Sequence, residues 1–139
     1  MTNPIRIAII GLSANATTDW ASRAHLPYLL SPKGRAKFKI IALCNSSVEA
    51  ARKSIEIFGL DPSTRAYGSA EDLARDGHVQ LVVCSTRVDK HFGTVMSSLR
   101  GGKDVLVEWP LAENVERAGE MVRALKEGGG KGVVGLQVC

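Results

Sequence analysis

Short apolar runs alternate with segments of helical periodicity along the whole sequence. A run that is apolar on both faces is typical of a strand inside a parallel sheet, where helices cover both sides. The pattern predicts an α/β fold, a doubly wound, mostly parallel sheet of about six strands with right-handed crossovers. The predicted strands are Ile5 to Ile10, Phe38 to Cys44, a short edge strand at Arg65 to Tyr67, Val79 to Cys84, Val105 to Val107 and Val133 to Val138.

Helical spacing of apolar residues fills the intervals between these strands. Ser31, Pro32 and Gly34 are expected to end the first helix in a loop, and Gly59 is expected to cap the second in a left-handed conformation. The glycine run at 128–130 is expected to be a cap and turn. With no linker or repeat, the sequence predicts one domain over residues 1–139. The predicted helices are Asp19 to Leu30, Val48 to Phe58, Ala70 to Arg75, Lys90 to Arg100 and Asn114 to Lys126.

Composition excludes several classes of protein. The longest apolar runs are far shorter than the ~20 residues that cross a bilayer, and no signal peptide is visible, so we expect a cytoplasmic protein without membrane contact. The net charge is +4, but no aromatic side chains interleave with the basic run from Lys33 to Lys39, so we expect a solvated loop and no nucleic-acid partner. Three cysteines without metal-like spacing predict no metal site, with Cys44 and Cys84 as buried thiols.

The loop after the first strand has the register of a dinucleotide-binding fingerprint. In a doubly wound sheet, ligands bind beyond the carboxyl ends of the strands, where the strand order reverses. Here Gly11 occupies the first glycine position, while Ser13 and Ala16 stand at the second and third. We predict that this loop holds a cofactor phosphate; the alternative is a turn without a ligand. The predicted cofactor residues are Gly11, Ser13, Ala14 and Asn15.

The end of the second strand bears on the choice of nucleotide. NAD-binding proteins place an acid there for the ribose hydroxyls, whereas this sequence has Asn45, Ser46 and Ser47. The two serines, with Arg52 or Lys53 nearby, can accept a 2′-phosphate, so NADP is slightly favoured over NAD. The alternative is that a serine simply caps the following helix.

The loops after the fourth and fifth strands carry a family resemblance. The region from Val79 to Ala112, with His91, Gly102-Lys103 and Glu108, together with the segment from His25 to Leu29, resembles the glucose–fructose oxidoreductase, inositol dehydrogenase and MocA (Gfo/Idh/MocA) family. The resemblance runs from Ile5 to Gln137. It implies a Rossmann fold that binds NAD(P), and it adds cofactor-binding candidates: Ser85, Thr86, Arg87, His91 and Glu108.

Two features depart from the enzymes of that family. Their Glu-Lys-Pro motif supplies a lysine for proton transfer, but Trp109 stands at that position here, and an indole cannot act as the acid or base. The family also continues into an α+β substrate domain where this sequence ends at Cys139, so we expect a Rossmann domain lacking that domain. The pattern is similar to that of non-catalytic members, the fungal repressors of the galactose genes, at the Gly11 loop, Trp20, His25 and Val107 to Trp109.

Three functions remain open at this point. The first is an NAD(P)-binding protein that senses nucleotide or regulates a partner. The second is a non-redox isomerase, lyase or cyclase that binds a small molecule in a cleft with Trp20, His25 and Asp89; its catalytic candidates are His91, Glu108 and Trp109. The third is an NADP-dependent oxidoreductase. Without the second domain, apolar residues near Pro110, Leu111 and the sixth strand would be exposed, which predicts a homodimer or a protein partner.

Overall fold

A computed structural model of the chain describes residues 3–12, 25–108 and 111–135. These residues form a six-stranded sheet in the order β3-β2-β1-β4-β5-β6, with every neighbouring pair parallel. The order reverses between β1 and β4, which confirms the predicted doubly wound α/β sheet. The strands are β1 Ile5–Ile10, β2 Phe38–Cys44, β3 Arg65–Tyr67, β4 Leu81–Cys84, β5 Asp104–Glu108 and β6 Gly132–Gly135.

Helices follow the strands in the chain. In the part of the chain that the structure describes, none of them is both long enough and apolar enough to cross a bilayer. The predicted start of the first helix, at Asp19, lies outside the described residues. The helices are α1 Leu26–Leu30, α2 Pro32–Lys37, α3 Val48–Ile57, α4 Ala70–Ala74, α5 Val88–Arg100 and α6 Val115–Gly128.

The predicted loop after α1 is wrong, because that segment is helix α2. The Ser31 side chain accepts a hydrogen bond from the Gly34 amide at 3.1 Å, and Pro32 occupies the first turn, where its missing N–H costs nothing. The basic run therefore begins on a helix rather than in a loop. Gly34 lies against the Tyr28 carbonyl, where a Cβ atom would collide with the backbone.

Glycines end two of the helices as the sequence indicated. Gly59 follows α3 with φ of 63°, and Gly129 follows α6 with φ of 80°. Both positions lie in the left-handed region that favours glycine. The Gly129 amide donates to the Leu125 carbonyl at 3.0 Å, which confirms the glycine run as a cap and turn.

Apolar side chains cover both faces of the sheet. One cluster includes Val82, Cys84 and Val95, and the other includes Ile9 and Leu43. Cys84 is fully buried and Cys44 nearly so, and both are free thiols, as the sequence predicted. Burial raises the pKa of the Cys44 thiol to about 11 and also raises that of Cys84. Both thiols are therefore protonated near neutral pH and are poor nucleophiles.

A buried carboxylate joins β3 to the turn before β4. Asp76, whose side chain is 2% exposed, accepts two hydrogen bonds of 2.7 Å from Arg65, one of 2.7 Å from the Tyr67 hydroxyl and one of 2.9 Å from the His78 amide. Burial acts to raise the pKa of Asp76, but these hydrogen bonds outweigh it and lower the pKa from 3.8 to about 2. Lys103 also donates to the Asp76 backbone carbonyl at 2.7 Å.

Candidate functional site

A cleft of about 750 Å³ opens at the carboxyl ends of β1, β2 and β4. This is the reversal point of the strand order, where doubly wound sheets bind ligands. The loop between β3 and α4, the start of α4 with Glu71, and one side of α5 with Lys90 also line it. The cleft brings together predicted cofactor residues from three separate regions of the chain: Gly11, Asn45, Ser46, Ser85, Thr86 and Arg87.

Gly11 lies where the ends of these three strands meet. Its φ is 95°, which strongly favours glycine. Its amide donates to the Cys44 carbonyl at 3.1 Å, and a Cβ atom would lie 2.5 Å from the Ser85 carbonyl oxygen. Only glycine therefore fits this turn without displacing the loop after β4.

The residues after β2 divide between the cleft and the support of α3. The Asn45 side chain donates to the Leu12 carbonyl at 2.9 Å and so ties the two loops together. Ser46 lines the cleft. Ser47 caps α3, accepting from the Ala50 amide at 3.0 Å, which is the alternative role that the sequence left open. Arg52 lines a different cavity, near the end of α3.

Glu108, the last residue of β5, is the centre of a buried polar cluster. Its Oε1 atom accepts a 2.7 Å hydrogen bond from the Ser85 hydroxyl and lies 3.1 Å from Nε2 of His25. The Glu108 side chain is 6% exposed and that of His25 is 25% exposed. The sequence indicated that Glu108 and His25 share a cleft, but their direct contact spans 83 positions and no local pattern predicts it.

His91 is 2% exposed and lies in the first turn of α5. Its Nε2 atom is 3.0 Å from the Thr86 carbonyl oxygen, and its Nδ1 atom is 3.2 Å from the Leu111 carbonyl oxygen. The imidazole thus connects the loop after β4 to the segment after β5. Its proposed catalytic role stays a prediction.

Several predicted site residues lie outside the described part of the chain: Ser13, Ala14, Asn15, Trp20 and Trp109. Their contacts form no part of the described site. Asp89, which was predicted in the cleft, forms a 3.2 Å ion pair with Arg87 on the exposed start of α5.

The charge around the described cleft suits an anion. Arg87 and Lys90 line it, and the 13-residue helix α5 begins there, so its first amides and its dipole favour negative charge. Glu71 lines the opposite side and accepts a 3.0 Å hydrogen bond from Ser69. In residues 3–12, 25–108 and 111–135, no group of three His, Cys, Asp or Glu side chains could hold a metal ion.

Sequence comparison places the cleft in a family context. The model of a family described as "Oxidoreductase family, NAD-binding Rossmann fold" (GFO_IDH_MocA) matches residues 5–136. The chain is 37% identical over 136 residues to "Dehydrogenase aclE" of Aspergillus oryzae, covering 98% of this chain and 37% of that protein. It is 29% identical over 140 residues to "Galactose/lactose metabolism regulatory protein GAL80" of Saccharomyces cerevisiae, covering 96% of this chain and 31% of that protein. The chain thus spans about a third of the length of each of these relatives.

Structural comparison leads to the same group. A super-repressor mutant of Gal80p from Saccharomyces cerevisiae superposes with a TM-score of 0.83 at 27% identity, over 95% of this chain and 34% of that one. An NAD-binding oxidoreductase from Klebsiella pneumoniae gives a TM-score of 0.75 at 26% identity, over 94% of this chain and 34% of that one. Enzymes and a transcriptional regulator thus share this architecture.

Proposed function

Because the chain belongs to the Gfo/Idh/MocA oxidoreductase family, we propose that it binds NADP or NAD in the cleft between β1 and β4. The glycine turn at Gly11 carries this proposal, since a Cβ atom there would fill the space beside the Ser85 carbonyl. Such a turn lets a backbone approach a pyrophosphate closely. Ser13, Ala14 and Asn15 complete the predicted phosphate loop.

In this proposal, the remaining cleft residues contact different parts of the nucleotide. Ser85, Thr86 and Arg87 face the centre of the cleft together with the amino end of α5, while Asn45 and Ser46 face the adenosine ribose. The loop between β2 and α3 contributes no carboxylate to the cleft lining, which supports NADP over NAD. Because Arg52 lines another cavity, Lys90 is the better candidate to contact a phosphate of the nucleotide.

We expect NADPH to bind saturably and Lys90→Gln to weaken it about threefold to tenfold, since an exposed charge contact contributes roughly 1 kcal/mol. Isothermal titration calorimetry with NADPH and NADH measures both affinities. Lys126→Gln is the matched control, because Lys126 is exposed near the end of α6 and does not line the cleft, so its removal should change neither affinity. Absence of binding of either nucleotide up to millimolar concentration would refute the proposal.

What the bound nucleotide does is a second question. The two relatives compared above are named a dehydrogenase and a metabolic regulatory protein, and Trp109 replaces the lysine of the family's enzymes. We therefore propose an NAD(P)-binding protein whose role is regulatory or non-redox, rather than an NADP-dependent oxidoreductase. Among the catalytic candidates, Glu108 is the last residue of β5 and precedes Trp109 in the sequence, and His91 contacts the adjoining loops. Two buried free thiols support the cytoplasmic location.

The edge of the sheet at β6 supports the proposed self-association. Val133 is 58% exposed and Val134 38% exposed on this edge strand, and Leu111 lines the small apolar groove beside them. An exposed apolar edge strand favours pairing with another chain. We propose that a second copy covers this edge; a different protein partner is the alternative.

Val133→Lys is expected to weaken the homodimer at least about tenfold, because it places a charge at the centre of the proposed interface. Analytical ultracentrifugation over a concentration series measures the dissociation constant. Val115→Lys is the control, since Val115 is 88% exposed at the start of α6 and lies outside the groove. A wild-type protein that stays monomeric at every concentration contradicts the homodimer.

A further inference from the structure

A second cavity, of about 330 Å³, lies on the face of the sheet that α1 covers, apart from the cofactor cleft. Val83 and Leu106 form part of its floor, on neighbouring strands. Tyr28 and Phe38 line its sides, with ring centroids 6.4 Å apart and planes at 64°. Its volume falls in the range of about 300–1,000 Å³ that is typical of small-molecule sites.

His25 is, with the Tyr28 hydroxyl, a polar group of the described lining, and its ring nitrogens can recognise a ligand. Its Nε2 atom faces the Glu108 carboxylate at 3.1 Å. Because Nε2 pairs with the Glu108 carboxylate, Nδ1 is the ring nitrogen that remains to contact a ligand. Within the described ranges Nδ1 makes no hydrogen bond, so it can pair with a ligand hydroxyl.

Glu108 fixes the orientation of the His25 imidazole. Its Oε1 atom also accepts from the Ser85 hydroxyl at 2.7 Å, and Ser85 lines the cofactor cleft. The Glu108 side chain is 6% exposed, so its contacts are shielded from water. One carboxylate thus connects the linings of the two cavities.

We propose that this second cavity binds a compact, neutral alcohol or phenol. Its aromatic or alicyclic body packs against Tyr28 and Phe38, and its hydroxyl, which can both donate and accept, forms a hydrogen bond with Nδ1 of His25. The described lining contains no Lys or Arg, so an anionic ligand would be left without a partner. An extended polypeptide segment fits less well, because the aliphatic floor cannot pair with its backbone N–H and C=O groups. The inference goes beyond nucleotide binding and concerns a separate cavity.

The test uses 2-naphthol and, as the matched probe without a donor, 2-methylnaphthalene, each titrated into the ¹⁵N-labelled protein by NMR. We expect 2-naphthol to bind saturably below about 1 mM. His25→Phe should weaken 2-naphthol about fivefold to tenfold, the value of one hydrogen bond, and should not weaken 2-methylnaphthalene. His78→Phe is the control, since His78 is exposed and lies outside the cavity.

A second variant keeps the test valid if His25→Phe folds poorly. Leu81→Trp fills the cavity from its floor and should abolish binding of both probes. Equal 2-naphthol affinity in the wild type and in both folded variants overturns the inference, as does no binding by the wild type. Parallel NADPH titrations separate the two proposals. If the protein does not bind NADPH but still distinguishes 2-naphthol from 2-methylnaphthalene through His25, only the nucleotide proposal is contradicted. If it binds NADPH but His25→Phe does not weaken 2-naphthol binding selectively, only this inference is contradicted.

Discussion

Replacing Asp76 by Ala is expected to lower the free energy of unfolding by about 2–4 kcal/mol, because it removes a buried carboxylate that accepts hydrogen bonds from Arg65, Tyr67 and His78. The substitution leaves the Tyr67 hydroxyl without its acceptor and removes the carboxylate that fixes the Arg65 guanidinium. It also frees the turn before β4, where Asp76 accepts from the His78 amide. Urea denaturation followed by circular dichroism measures the change.

Asp72→Ala provides the matched control for this prediction. Asp72 pairs with Arg75 at 3.6 Å, but both side chains are exposed, at 60% and 80%. Exposed pairs contribute roughly 0–1 kcal/mol, so the control should stay close to the wild type. Equal losses in the Asp76 and Asp72 variants would show that the buried network does not stabilise the fold.

The depressed pKa of Asp76 gives the same network a pH dependence. The pKa is about 2 in the folded protein against an ordinary 3.8, so the carboxylate stabilises the fold at pH values above 3.8. This stabilisation is lost as the pH falls from 3.8 through about 2. A shift of this size corresponds to about 2 kcal/mol. The stability difference between the wild type and Asp76→Asn should therefore shrink over that interval, because Asn cannot titrate.

The sequence predicted the sheet well because its signals are local. Continuous apolar runs of strand length identify buried strands, and the residues that directly follow them, such as Gly11 and Ser46, are therefore expected at the carboxyl ends of the strands. The His25 contact with Glu108 could not be predicted in this way. It joins the start of a helix to the end of a strand 83 positions away, and only packing brings them together.

At one helix boundary the local sequence pattern led to a wrong prediction. Ser31 and Pro32 occur both where helices end and where they begin, so the pattern could not distinguish a loop from a new helix. The structure shows the start of a new helix, because the Ser31 side chain caps α2 by accepting a hydrogen bond from the Gly34 amide, and because Gly34 can lie against the Tyr28 carbonyl. That close approach depends on three-dimensional packing, which hydrophobic periodicity does not encode.

Gly11→Ala is expected to weaken NADPH binding at least about tenfold and to destabilise the fold by about 2–4 kcal/mol, combining backbone strain with a steric conflict. At φ of 95° an alanine is strained in any surroundings, and its Cβ atom would lie 2.5 Å from the Ser85 carbonyl oxygen. Relief requires the loop after β4 to move, and with it the Ser85 hydroxyl that donates to Glu108. Calorimetric titration with NADPH and urea denaturation measure the two effects.

Gly59→Ala is the control for Gly11→Ala, because it introduces backbone strain without a steric conflict. Gly59 also has a positive φ, 63°, but a Cβ atom there meets nothing within 4 Å. It should cost about 1 kcal/mol and leave NADPH affinity unchanged, since only the left-handed backbone is penalised. If Gly11→Ala loses no more stability than Gly59→Ala and binds NADPH like the wild type, the loop after β4 is not held against Gly11. The nucleotide would then have to be bound without the close backbone approach on which the proposed site depends.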